Sequence, residues 1–130
     1  MPNVRIGLAQ VNPTVGDLRG NAEIVRDAAR DAARAGVQLL ALPEMALTGY
    51  PVEDLALRPS FQRASHDALR TLAQELAADG HADLVVVTGY LDTAGDGPAP
   101  VNALAVVHGG EVKGRYVKHH LPNYGVFDEA

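Results

Sequence analysis

The chain has 130 residues and no cysteine. That single absence removes disulfides, thiolate metal sites and a cysteine nucleophile together. Aromatic residues make up only 5% of the sequence, so a core has to be assembled from Ala, Val and Leu. Basic charge is also scarce: 11 Lys and Arg stand against 16 Asp and Glu, a formal net charge of −5. No basic cluster interleaves with aromatics, which argues against a nucleic-acid partner. No apolar run approaches the roughly 20 residues of a membrane span. Met1-Pro2-Asn3-Val4-Arg5 enters a strand-like pattern without a basic segment, apolar stretch or export cleavage site, so a cytoplasmic location without membrane contact is expected. Gly7, Gly16 and Gly20 fit neither G-x-G-x-x-G nor G-x-x-x-x-G-K-[ST], so no phosphate-cradling loop is expected.

What is present is a chain the size of one domain, 47% hydrophobic, able to bury about two thirds of its unfolded surface. Val4 to Gln10 alternates like a strand buried on at least one face. After the turn formers of Asn12 to Asp17, Ile24, Ala28, Ala32 and Ala35 fall on one helical stripe that Gly36 ends. Val37 to Leu42 reads as a second strand, and strand–helix–strand with short connections predicts a parallel pair. Gly49 to Pro59 has the length and composition of a functional loop, with a helical turn at Glu53 to Leu57. Ser60 is the expected N-cap of a helix carrying Phe61, Ala64, Leu69, Leu72, Ala73 and Leu76, stopped by Asp79-Gly80. Leu84 to Tyr90 is the clearest strand, apolar enough for the centre of a sheet. Asp92 to Pro100 reads as a mobile loop, followed by a hairpin of Asn102–Val107 and Glu111–Lys118 about His108-Gly109-Gly110. The fold class is therefore α/β with a mixed sheet and two main helices.

The stretch Leu39 to Pro51 concentrates the chemistry. An apolar strand ends at Pro43, which has no backbone donor, and Glu44 follows at the strand's C-terminal lip, where open α/β sheets bind ligands. An isolated Glu is more often a solvated loop carboxylate, so its weight depends on partners. Lys118 ends another strand and is followed by His119, His120, Asn123 and Tyr124. If the two charges meet from neighbouring strands, Glu44 can act as general base and Lys118 can support an oxyanion, the division of labour of acyl transfer. The nucleophile is missing. Neither Ser60 nor Ser65 sits in a glycine-flanked elbow, and Thr48 and Thr88 read as strand-end and loop hydroxyls. Adjacent His119 and His120 point apart in an extended segment, so no metal site is expected, and His66, His81 and His108 read as surface residues.

Leu42-Pro43-Glu44 with Leu47-Thr48-Gly49-Tyr50-Pro51, and Lys118-His119-His120-Leu121-Pro122-Asn123-Tyr124-Gly125-Val126-Phe127-Asp128-Glu129, resemble the nitrilase (carbon-nitrogen hydrolase) superfamily. The second string, with Pro51-Val52-Glu53-Asp54-Leu55, is similar to the N-terminal glutaminase domains of glutamine-dependent NAD synthetases. The resemblance implies a four-layer αββα sandwich, of which residues 1–130 are the N-terminal part, and a Glu-Lys-Cys triad. On it, Glu44 is the general base and Lys118 the triad lysine; Tyr50 and Tyr124 line a glutamine pocket, and Phe127 and Glu129 add to that pocket or position Lys118. The family's cysteine lies farther along its chain, beyond Ala130, so this chain alone is expected to be inactive. The resemblance further implies a missing ATP- and Mg2+-dependent synthetase domain that amidates deamido-NAD, no cofactor held by this chain, and exposed apolar sheet surface favouring homo-oligomers. Two alternatives are a fragment of a stand-alone amidohydrolase and a non-catalytic α/β interaction module pairing through an open sheet.

Overall fold

A computed structural model describes residues 3–49, 53–93 and 100–117. In chain order the elements are β1 (Ile6–Leu8), α1 (Leu18–Arg34), β2 (Leu39–Ala41), a 3-10 helix (Glu53–Leu57), α2 (Pro59–Ala78), β3 (Val85–Thr93), β4 (Pro100–His108) and β5 (Glu111–Val117). They form one five-stranded sheet in the order β1-β2-β3-β4-β5. The first three strands are parallel and the last two antiparallel, the mixed sheet that the sequence predicts. Gly109 and Gly110 turn the β4–β5 hairpin at φ 63° and 81°, values that only glycine adopts freely.

The register sorts the residues into two faces. One carries Gly7, Leu40, Val86 and Val107 in a row, with Tyr90 and Ala103 above them. Both helices pack on this face, with Val25, Ala29 and Ala32 of α1 and Leu69, Leu72, Ala73 and Leu76 of α2 sharing its core. The other face carries the rows Ile6–Leu39–Val85 and Leu8–Ala41–Val87–Val106, then Gly89–Leu104–Tyr116. The 3-10 helix and Phe61 of α2 pack with Leu91 at one end of this second face, and elsewhere on it Ile6 (58%), Leu8 (80%) and Tyr116 (59%) are open to solvent.

Several expectations shift. The first two strands are shorter than predicted: the ladder spans three pairs, and Pro43, unable to donate, turns the chain away. The buried stripe of α1 is Ala22, Val25, Ala29 and Ala32, rotated from the predicted one, and Ala35 is its exposed C-cap; Gly36 leaves the helix at φ 73° as expected. Ser60 does not cap α2: Pro59 occupies its first turn and Arg58, driven to an extended conformation before proline, is an N-cap without a side-chain bond. Asp92 and Pro100 belong to β3 and β4 rather than to a loop, while residues 94–99 lie outside the described residues. Among the described residues no helix is long and apolar enough to cross a membrane.

Candidate active site

Glu44 stands three residues past the end of β2, at the C-terminal end of the parallel strands. The turn that carries it lies directly on β3. A Cβ added to Gly89 would come within 2.2 Å of the Met45 nitrogen and 2.9 Å of the Pro43 oxygen, so only glycine admits the turn at that position. Met45 takes a left-handed conformation, φ 57°, with its side chain fully buried against Leu91 and Ala56. A non-glycine residue held there stores local strain that the packing around it must offset.

Backbone bonds fix the turn from both sides. Leu42 N–H donates to Val87 O at 2.8 Å and Leu47 N–H to Gly89 O at 3.0 Å. Asn21, buried on α1, donates to Leu47 O at 3.0 Å and to Thr14 O at 2.8 Å, and accepts from Thr14 N–H at 2.8 Å. Gly16 N–H donates to Thr48 O at 2.9 Å, joining the loop after β1 to the loop after β2.

From this turn the Glu44 side chain crosses β3, over the space that Gly89 leaves, and reaches β4. Its Oε1 accepts a 2.5 Å hydrogen bond from Asn102 Nδ2. Glu44 is exposed and Asn102 is 2% exposed, so a rigid buried donor holds one oxygen of a carboxylate that is accessible. The two residues line a cavity of about 170 Å³ together with Leu42, Pro43, Leu104 and Tyr116. The mainly apolar wall lowers the local dielectric and strengthens polar contacts made inside it.

The expectation that Glu44 and Lys118 meet from neighbouring strands falls on Lys118, which lies outside the described residues. β2 and β5 themselves are separated by β3 and β4, and the Glu44 turn folds over β3 so that Glu44 and Tyr116 of β5 line the same cavity. Of the predicted site residues, Glu44 is described; Lys118, Tyr50, Tyr124, Phe127 and Glu129, like His119 and His120, lie outside the described residues. Asn102 and Gly89 were not singled out by sequence reasoning. The available signal was an amide inside the apolar run Val101-Asn102-Ala103-Leu104, since a buried amide needs a partner.

A second polar cluster occupies the helical face. Asp92, fully buried, accepts from Tyr90 Oη at 2.5 Å and Thr93 N–H at 2.7 Å, contacts His66 Nε2 at 2.5 Å, and pairs with Arg115. Burial would push its carboxyl up, but the Tyr90, Thr93 and His66 donors outweigh burial and hold it below the usual range. Burial first, then the bond to Asp92, raises the Tyr90 hydroxyl. His66 is therefore no free surface residue: it is half-buried, clamped to β3 and edge-on to the Tyr90 ring at 6.0 Å. The hydroxyls are committed to backbone, Ser65 Oγ to Leu91 O at 2.9 Å and Thr48 Oγ1 to Met45 O at 3.4 Å. Among the described residues no group of three His, Asp or Glu converges as a metal set would.

A carboxylate at the C-terminal lip of an α/β sheet stands where such sheets bind ligands. The carbon-nitrogen hydrolase family model matches residues 5–130, and the chain belongs to that family. Within it, the chain is 46% identical over 129 residues to the glutamine-dependent NAD(+) synthetase of Thermotoga maritima, covering 99% of this chain and 21% of that protein. The corresponding enzyme of Rhodobacter capsulatus is 46% identical over 96% of this chain and 22% of its own length. The crystal structure of a glutamine-dependent NAD(+) synthetase from Cytophaga hutchinsonii superimposes with a TM-score of 0.81 at 32% identity, over 92% of this chain and 20% of that one. The chain thus spans about a fifth of the length of these relatives.

Proposed function

We propose that this chain is the N-terminal part of the glutaminase domain of a glutamine-dependent NAD synthetase. The observation that carries this reading is the identity to such synthetases along nearly the whole chain, with Glu44 held at the strand lip. The parent reaction is hydrolysis of glutamine to supply ammonia for the ATP-dependent amidation of deamido-NAD.

In this reading Glu44 takes the proton of a cysteine thiol supplied by the parent beyond residue 130, and the sulfur bonds to the side-chain amide carbon of glutamine. Lys118 stabilises the resulting oxyanion. Collapse breaks the C–N bond, and the departing ammonia carries away the proton that Glu44 held. Water then attacks the thioester with Glu44 again as base, releasing glutamate and the thiol. Tyr50 and Tyr124 line the glutamine pocket, and Phe127 and Glu129 position Lys118 or extend that pocket. ATP and Mg2+ belong to the synthetase portion of the parent, as does the deamido-NAD site. The parent works as a cytoplasmic homo-oligomer.

Ammonia release from glutamine tests this. The 130-residue chain alone is expected to release none. A chimera in which it replaces the matching N-terminal stretch of the Thermotoga maritima enzyme is expected to turn over, and Glu44→Gln or Lys118→Met to lower its kcat by about 10²- to 10⁴-fold. Sustained turnover by the chain alone, or an unchanged kcat in Glu44→Gln, would overturn the reading.

A further inference from the structure

We infer that Asn102 is the positioning residue of Glu44: its buried amide fixes one carboxylate oxygen, Oε1, and with it the orientation of the group that accepts the proton. The inference rests on the reading of Glu44 as general base. Its structural basis is independent of that reading and has three parts.

First, Asn102 is 2% exposed on β4, within an antiparallel ladder that pairs it with Leu91, so its side chain has little freedom to follow Glu44 if the carboxylate moves. Second, the bond runs from a buried donor, Asn102 Nδ2, to Oε1 of a carboxylate that is itself exposed. A charge-assisted bond of this kind is about twice as strong as a neutral one, and its donor has already lost its water. Third, the approach depends on Gly89, on the strand between them: the turn seats on β3 only because Gly89 has no Cβ, and the Glu44 side chain then spans to the next strand.

A neutral donor suits this task better than a cation would. An amide orients the carboxylate without supplying a full charge that would compete with the proton the base has to accept. An aspartate at 102 would set a second carboxylate against Glu44, and a leucine would fill the same space with no donor.

The test has two arms. In the 130-residue chain, the Asn102 side-chain amide, followed by nitrogen-15 NMR, is expected to exchange slowly and to shift on Glu44→Ala; an amide that exchanges freely and ignores that substitution overturns the contact. In the synthetase chimera, Asn102→Leu is expected to lower the glutaminase kcat roughly 10- to 100-fold, with glutamine KM and thermal midpoint nearly unchanged, because small displacements of a catalytic group cost that much. Asn102→Ser, which keeps a hydroxyl donor, is expected to recover part of the loss. An unchanged kcat in Asn102→Leu beside an inactive Glu44→Gln overturns the positioning role and leaves the base intact. A fall in kcat accompanied by a raised KM and a lowered thermal midpoint makes Asn102 a packing residue and also overturns it. Full activity in Glu44→Gln removes the base reading itself, while the NMR arm still decides the contact.

Discussion

Gly89 and Asp92 lie three residues apart on β3 and serve opposite faces of the sheet. Gly89 admits the Glu44 turn, and the atoms a methyl group would strike are backbone, which cannot rotate away. Gly89→Ala is expected to cost about 3 kcal/mol in denaturant unfolding, an overpacking penalty at the upper end for core sites, and to loosen the turn that holds Glu44. Asp92 holds α2 and β5 to β3 through His66 and Arg115. Its native carboxyl is depressed below the unfolded value of about 3.9, so its stabilisation is complete above that pH and is lost as the pH falls through the native value. Asp92→Asn is expected to lose about 3 kcal/mol at neutral pH, and its melting temperature to fall less steeply than the wild type's below about pH 4. An equal acid slope in both proteins would assign the acid sensitivity to other carboxylates. Glu44 was legible because a carboxylate after a strand-ending proline is odd in sequence. Asp92 was not, because a buried charge is rare enough that Leu91-Asp92-Thr93 reads as the start of a loop until its donors, 23 and 26 residues away, are seen.

At the level of elements, periodicity located both helices and the order of strands, but it misplaced their edges. The α2 boundary shows why. Ser60 has the right chemistry for a cap, but Pro59 is suited to the first helical turn and forces its predecessor to be extended, so the capping position falls on Arg58. A cation there faces the positive end of the helix dipole and offers no acceptor to the free N–H groups. Arg58→Asp keeps the extended backbone and adds both missing features. It is expected to stabilise the chain by about 1 kcal/mol, a rise of roughly 3–5 °C in melting temperature by circular dichroism. An unchanged or lower midpoint would mean that the guanidinium makes a compensating contact. The α1 stripe was read one position away from its true centre for a similar reason: in an alanine-rich helix several faces are apolar, and burial in the core shared with α2 and the sheet, rather than hydropathy, selects Val25, Ala29 and Ala32.

The whole molecule, as described, is one helical layer and one sheet, with a second apolar sheet face that the described elements cover only where the Glu44 turn seats on Gly89 and Met45 and Ala56 pack with Leu91. The rows Ile6–Leu39–Val85 and Leu8–Ala41–Val87–Val106 would be buried in the αββα arrangement of the family, where a second sheet packs against the first. Alternation in the strands made this face legible in the sequence. Its exposure was expected from the family resemblance and not from the strand pattern, because it depends on which elements accompany the sheet. In the isolated chain Ile6, Leu8, Leu104 and Tyr116 of this surface are exposed, and a second copy is the nearest apolar surface able to cover them. Sedimentation velocity is therefore expected to find concentration-dependent association. Leu8→Lys with Leu104→Lys, at sites 80% and 38% exposed, is expected to yield a monomer at little cost in stability, since neither side chain is in the core. Ala33→Lys adds charge on the exposed side of α1 and should leave association unchanged, which separates the effect of this face from that of net charge. A wild-type chain that stays monomeric at every concentration would mean that residues beyond those described shield the face.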